Sequence, residues 1–207
     1  MTMTRTSRTR SADSRRASIL DATQRLISDR GAAELTVEDI TSAAGIAKGT
    51  FYLYFKTKHD VLAALRDRLT AEILADHEAR LEELPATDHA GRLTNWLEQA
   101  VQGRVGRANL HDALFHEGPG SHGDGQDADS HIAMLALLIA EGAEAGDFDV
   151  DDPDLLAALL YHAMHGAAHR VIHRPEDEVD TLVHAVQELA LRAVLPSETS
   201  SGAVSSG

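Results

Sequence analysis

Cysteine is absent from the 207 residues, which excludes a disulfide framework and thiolate metal ligands and suits a reducing compartment. Long apolar runs are missing as well, and none approaches the roughly 18–20 residues that a membrane span needs. The opening residues MTMTRTSRTR lack the apolar stretch of a signal peptide. The expectation is a cytoplasmic protein with no membrane partner. No segment alternates convincingly like a strand, and no internal repeat stands out. The fold class expected is all-α. Aromatic residues are scarce, and lysine is scarcer still: Lys48, Lys56 and Lys58 are the only three.

The residues present in short supply are not spread evenly. All three lysines fall within GIAKGTFYLYFKTKHD, residues 45–60, together with Phe51, Tyr52, Tyr54 and Phe55, half of the eight aromatics. Charge is divided in the same way. The net charge of -14 argues at first against nucleic acid, yet residues 1–60 hold ten Arg/Lys against seven Asp/Glu. The remaining residues hold nine against twenty-six. A mildly basic head on a strongly acidic body implies that only the head meets an anion.

Residues 1–13, rich in Thr, Ser and Arg, read as a disordered basic arm, and 196–207 read as a disordered tail. Between them the periodicity is helical, with about nine helices expected. Ile19, Ala22, Leu26 and Ile27 share a face that ends at Gly31. Thr36 and Asp39 form a relaxed capping box for a short helix that stops at Gly45. A third short helix covers about Lys48–Phe55, and a long one runs from near Lys58 to Leu84, before Pro85. One or two helices lie in 90–116, then EGPGSHGDGQDADS reads as a mobile loop. Helices follow over roughly 131–145, 153–173 and 177–194. The division expected is a helical head over 14–60 and a larger helical body over 61–195.

Two short helices joined by a tight glycine turn constitute a helix-turn-helix, with Gly45 at the position where positive φ costs glycine nothing. The second of the pair would lie in the major groove with its N-terminal residues toward base edges. Lys48, Gly49 and Thr50 sit at that end. Gly49 permits close backbone approach, and Thr50 can donate, accept or offer a methyl to thymine. Tyr52 and Tyr54 can place hydroxyls on phosphates, and Lys58 adds charge at the next helix. Phe51 and Phe55, four apart on one face, read as core. Packing alone does not explain why every lysine lies beside them.

The segment ILDATQRLISDRGAAELTVEDITSAAGIAKGTFYLYFKTKHDVLAAL resembles the DNA-binding domain of tetracycline-repressor (TetR) family regulators over about residues 15–65. The resemblance implies a homodimeric, effector-responsive transcriptional regulator, usually a repressor, acting on a palindromic operator and released by a small molecule. It implies DNA contacts from Thr36, Lys48, Thr50, Tyr52, Tyr54 and Lys58. One position departs from the family pattern, which usually has Ser or Thr where this chain has Ala47. Alanine cannot cap the recognition helix.

Beyond residue 65 the resemblance is one of architecture only. PDLLAALLYHAMHGAAHRVIH is apolar or small around nearly its whole circumference, which points to core on one side and a subunit interface on the other. Ala163, Gly166 and Ala167 allow close approach, and Leu182, Val186, Leu189 and Ala193 offer a second stripe on the last helix. His162, His165, His169 and His173 mark one stripe of the first of these helices. They admit three readings: helical metal ligands without the HExxH pattern, hydrogen bonding in a pocket or interface, or incidental placement. No metal and no cofactor is assigned. An effector pocket would draw on the scarce large residues Trp96, His111, Phe115, Met134, Tyr161 and His165, for each of which core packing is the competing role.

Two motifs are rejected. Residues 118–123 spell GxGxxG but follow a helix and lack a βαβ unit. Asp147, Asp149 and Asp151 alternate like a calcium loop, but its glycine position is Asp152 and its closing acid position is Ala158. A helical enzyme is disfavoured because no nucleophile–base constellation is visible. A purely architectural DNA binder would not need so large an acidic body.

Overall fold

The computed structural model describes residues 4–108, 110, 114, 124–174 and 178–196. Eight helices and no strand occur among the described residues: α1 (Thr4–Arg30), α2 (Val37–Ala44), α3 (Lys48–Phe51), α4 (Lys58–Glu82), α5 (His89–Gly106), α6 (Asp124–Ala145), α7 (Pro153–His173) and α8 (Val179–Val194). The all-α class stands.

Helix ends follow the local chemistry of the sequence. Thr36 caps α2 through a full capping box: its Oγ1 accepts from Asp39 N at 3.2 Å, and its own N–H donates to Asp39 Oδ2 at 3.0 Å. Gly45 closes the same helix at φ 67°, and Ile46 N–H donates to Thr41 O at 3.0 Å across the turn. At α7, Asp152 accepts from Leu155 N at 2.9 Å with Pro153 in the first turn.

Three boundaries differ from expectation. Helix α1 begins at Thr4, inside the segment 1–13 expected to be a disordered arm. Arg and Ala extend a helix readily once the buried segment that follows has nucleated it. Helix α6 begins at Asp124, well before His131 and within the expected mobile loop, with polar residues propagating the helix outward from an apolar run. Helix α3 closes after Phe51 and continues only as turns to Tyr54, short of Phe55. The GxGxxG segment and the tail from Ser197 lie outside the described residues.

The chain forms two compact units: Met1–Ile73 with Arg107–Asp127, and Leu74–Gly106 with Ala128–Gly207. The division falls inside α4, because Leu62, Leu65 and Leu69 from its first half are buried in the core of the first unit. That core gathers Ile19, Leu20 and Ile27 of α1, Ile40 of α2, and Phe51 and Phe55. Arg68 joins α4 to α1 at its edge, bonding Asp21 and Gln24 at 2.7 Å each. The Arg16 guanidinium lies 5.3 Å from the centre of the Phe55 ring. In the second unit α5 packs against both α7 and α8, which also pack on each other. Leu93, Trp96, Leu97, Leu135, Ile139, Met164 and Ala190 fill the space between them and α6. Among the described residues no helix is long and apolar enough to cross a membrane.

Candidate nucleic-acid interface

Helices α2 and α3 enclose the Gly45 turn and are anchored from below by Ile40 and Phe51, both fully buried. What remains outside is the short helix itself. Ala47, Lys48 and Gly49 are exposed at its start, Thr50 is half-buried, and Tyr52 and Leu53 are 49% and 81% exposed beyond its end. Gly49 has ordinary negative φ, and a Cβ built there would meet nothing within the chain. The fold therefore does not require glycine at a helix position where it costs about 1 kcal/mol relative to alanine.

The predicted contact residues are not equally free. Thr36 is exposed, but its hydroxyl is engaged in the α2 cap, and that bonding holds the Asp39 carboxyl below its ordinary range. Lys48 pairs with Glu38 across the turn, so its ammonium is held above, and the carboxyl below, the usual range. Both side chains are largely in solvent, where such a pair exchanges readily for another anion. Tyr54 packs partly against the core. Lys58 donates from Nζ to Ala32 O at 3.3 Å, which fixes it at the start of α4. Asp60 caps the same end, accepting from the N–H groups of Lys56 and Thr57 at 2.9 Å. Leu53 was not singled out by the sequence. Its signal was available: a leucine between two tyrosines, off the Phe51/Phe55 face.

The other candidates belong to the second unit. Trp96 is 1% exposed, and its indole Nε1 is buried without an acceptor among the described residues. Tyr161 and His165 touch, their ring centres 4.2 Å apart. Met134 packs at the margin of the core. His111 and Phe115 lie outside the described residues. Sequence reasoning missed His77, His131 and Arg104, although His77 continues the four-residue spacing of Leu69, Ile73 and Leu81 on α4. Arg104 likewise continues Leu97 and Val101 on α5.

The histidine stripe of α7 divides. His162, His169 and His173 are exposed, whereas His165 turns inward, donating from Nδ1–H to Tyr161 O at 3.2 Å. Burial holds its imidazole down at about 4, and repulsion from Arg104, His131 and His162 adds to this. No three metal-ligating side chains converge among the described residues. On the expected interface faces, Leu155, Leu159 and Leu189 are 57%, 60% and 50% exposed, with Ala163, Gly166 and Ala193 also outward. Val186 and Leu182 instead turn toward the core of their own chain, because α8 presents them to α5 and α7.

A helix-turn-helix with an exposed second helix defines a DNA-binding class of domain. Residues 19–65 match the family model for bacterial regulatory proteins of the tetR family. The match is confined to the helix-turn-helix domain of the chain. It is 40% identical over 76 residues to the HTH-type transcriptional regulator EthR of Mycolicibacterium smegmatis, a stretch covering 37% of this chain and 35% of that regulator. The match to EthR of Mycobacterium tuberculosis is 43% over 59 residues, covering 28% of this chain and 27% of the relative. The chain thus spans about a third of the length of these relatives or less. The fold extends further. A TetR transcription regulator from Haloarcula marismortui superposes with a TM-score of 0.75 at 24% identity, over 88% of this chain and 99% of that one. FadR of Bacillus subtilis in complex with stearoyl-CoA superposes at 0.72 with 21% identity, over 86% and 98%.

Proposed function

We propose that the protein is an effector-responsive transcriptional repressor that binds a palindromic operator as a homodimer and is released by a small molecule. The observation that carries the DNA-binding part is the exposed Gly49, together with Thr50, Tyr52 and Leu53, on a short helix whose inner face is fully committed to core. In this reading Gly49 and Thr50 meet base edges, and Tyr52, Tyr54 and Lys58 meet phosphates. Leu53 lies against a sugar or a thymine methyl. Thr36 contributes through its position beside the groove, and Lys48 exchanges Glu38 for DNA. The exposed leucines of α7 and α8 support dimerisation through that pair of helices. Solved regulators of this fold include complexes with stearoyl-CoA and with resorcinol, which supports reading the second unit as the effector-binding body. Helix α4 carries Lys58 at its start and His77 near its end, so a ligand that displaces His77 acts on the helix that positions Lys58. A coupling of about 1–3 kcal/mol is sufficient for release.

The test is selection of bound sequences from a random duplex pool with the full chain. Two inverted half-sites about one helical turn or more apart are expected, with steep salt dependence because the acidic body disfavours non-specific binding. Equal affinity for every duplex at physiological salt would count against the proposal.

A further inference from the structure

The N-terminal ends of α2 and α3 face the same side of the motif, and one ion pair joins them. Glu38, the second residue of α2, accepts at Oε1 from the Nζ of Lys48, the first residue of α3. Their side chains are 65% and 51% exposed, so the carboxylate stands beside the start of α3 without being held there by packing. The neighbouring acids are occupied differently. Asp39 accepts from the N–H and the hydroxyl of Thr36 in the α2 cap, and Asp60 accepts from the N–H groups of Lys56 and Thr57. Those two carboxylates shape the motif. Glu38 has no such part, since the cap of α2 is Thr36 and α3 has no side-chain cap.

A carboxylate on a surface that meets a polyanion repels it unless the partner offers a donor. When DNA takes Lys48, Glu38 loses its cation just as it is brought to the groove. The floor of the major groove offers two amino donors, cytosine N4 and adenine N6. The adenine amino group lies beside the N7 acceptor, whereas cytosine presents its amino group with no acceptor next to it. Guanine and thymine offer acceptors and no donor there, so they leave the carboxylate unpaired and are rejected. The geometry points to Glu38 as a specificity-determining residue, which accepts from the N4 amino group of one cytosine in each half-site once Lys48 has turned to the DNA. The inference rests on the operator-binding reading and deepens it by naming a base that the operator contains. Base reading is then shared between α3, through Gly49 and Thr50, and the first turn of α2.

The experiment selects bound duplexes from a random pool with the full chain, with Glu38→Ala and with Glu38→Gln. The selected operator and its single-base variants are then compared by competition binding. The unmodified chain should require cytosine at one position of each half-site, with a loss of about 5- to 150-fold for another base there. Glu38→Ala should accept every base at that position and keep its other preferences. Glu38→Gln should move the preference there to adenine, whose N6 and N7 suit an amide. Melting temperature should change little in either variant, because the pair with Lys48 lies in solvent. Tighter binding of Glu38→Ala to all duplexes, with every base preference kept, would make Glu38 a restraint on non-specific binding and overturn the proposal. Loss of all preferences with a large fall in melting temperature would overturn it in favour of a structural role in α2. An operator whose preferences all survive Glu38→Ala would defeat this proposal and leave the regulator reading standing. An unmodified chain that enriches no sequence would defeat the operator reading, and this proposal with it.

Discussion

The two units use polar side chains in opposite ways. In the first, the polar groups around the helix-turn-helix sit at exposed helix ends and work with groups close in sequence: Thr36 with Asp39, Thr57 with Asp60, Lys48 with Glu38 across one turn. The interior is mainly apolar, built on Ile19, Ile27, Ile40, Phe51 and Leu65, and the buried Thr23 and Thr41 bond carbonyls of their own helices. In the second unit His77, Trp96, Arg104, His131, Tyr161 and His165 are buried or partly buried, and they arrive from four separate helices. A surface that reads an external polymer can be assembled from one short stretch of chain.

The contrast is sharpest at the anchors. Phe51 is the single buried residue of four-residue α3 and its own anchor in the core. Phe51→Ala should destabilise the protein by about 3–5 kcal/mol, the cost of emptying a fully buried aromatic site, and should abolish operator binding. Urea unfolding followed by circular dichroism gives the first quantity. A loss below about 1 kcal/mol would show that α3 is held by something other than its core contact.

Acid should find the second unit first. The His165 pKa is depressed to about 4 from an ordinary 6.5, so between these values the unfolded chain binds a proton that the folded chain resists. Stability tied to this residue is complete above pH 6.5 and is lost progressively as pH falls toward 4, by up to about 3 kcal/mol. His165→Gln should flatten that acid limb while leaving stability at pH 7.5 nearly unchanged. Parallel acid limbs for the two proteins, measured by unfolding at several pH values, would mean that His165 is protonated in the fold without penalty.

This contrast also explains what the sequence could disclose. Thr36, Gly45 and Ala47 were legible because capping is decided within four residues, and the three-helix order of the first unit follows from those ends. The interior of the second unit was only partly legible. Trp96, Tyr161 and His165 stood out as scarce or large, but His77 and Arg104 were not singled out. A stripe tells which way a side chain faces and not which residue of another helix it will meet. His165 was grouped with His162, His169 and His173 because α7 is apolar on nearly every side, so periodicity alone could not separate the face that packs inward. The early starts of α1 and α6 were hidden for a different reason, since polar residues can extend a helix that apolar neighbours have already formed.

Within the first unit, Thr50 and Lys58 should separate specificity from affinity. Thr50→Ala is expected to relax preference at one base pair per half-site, at about 1–3 kcal/mol. Lys58→Ala should weaken all duplexes alike and reduce the salt slope by about one. Competition binding against operator variants at several salt concentrations distinguishes the two. A uniform loss from both would remove Thr50 from the base-reading set.

The smallest effect comes from comparing two helices of the same motif. Helix α2 starts on Thr36, whose side chain accepts from the backbone of the third helical residue, and α3 starts on Ala47, which has no such group. The backbone at Ala47 already has the conformation that capping needs. Its φ of -72° and ψ of 148° are the extended values of a helix-capping position, and the residue is exposed, so a hydroxyl would displace nothing. Ala47→Ser should therefore supply an acceptor to the N–H group of Gly49 without moving the chain, the Thr50 N–H already donating to Ala47 O at 2.8 Å. The expected gain is about 0.5–1 kcal/mol, read as a modest rise in melting temperature. Such a gain would also limit how far the end of α3 moves, because a cap holds the recognition helix closer to one orientation. Operator affinity should then rise or stay level. A loss of stability would mean that the N–H groups at the start of α3 are already satisfied in the free protein, and that alanine there is no deficit for the fold.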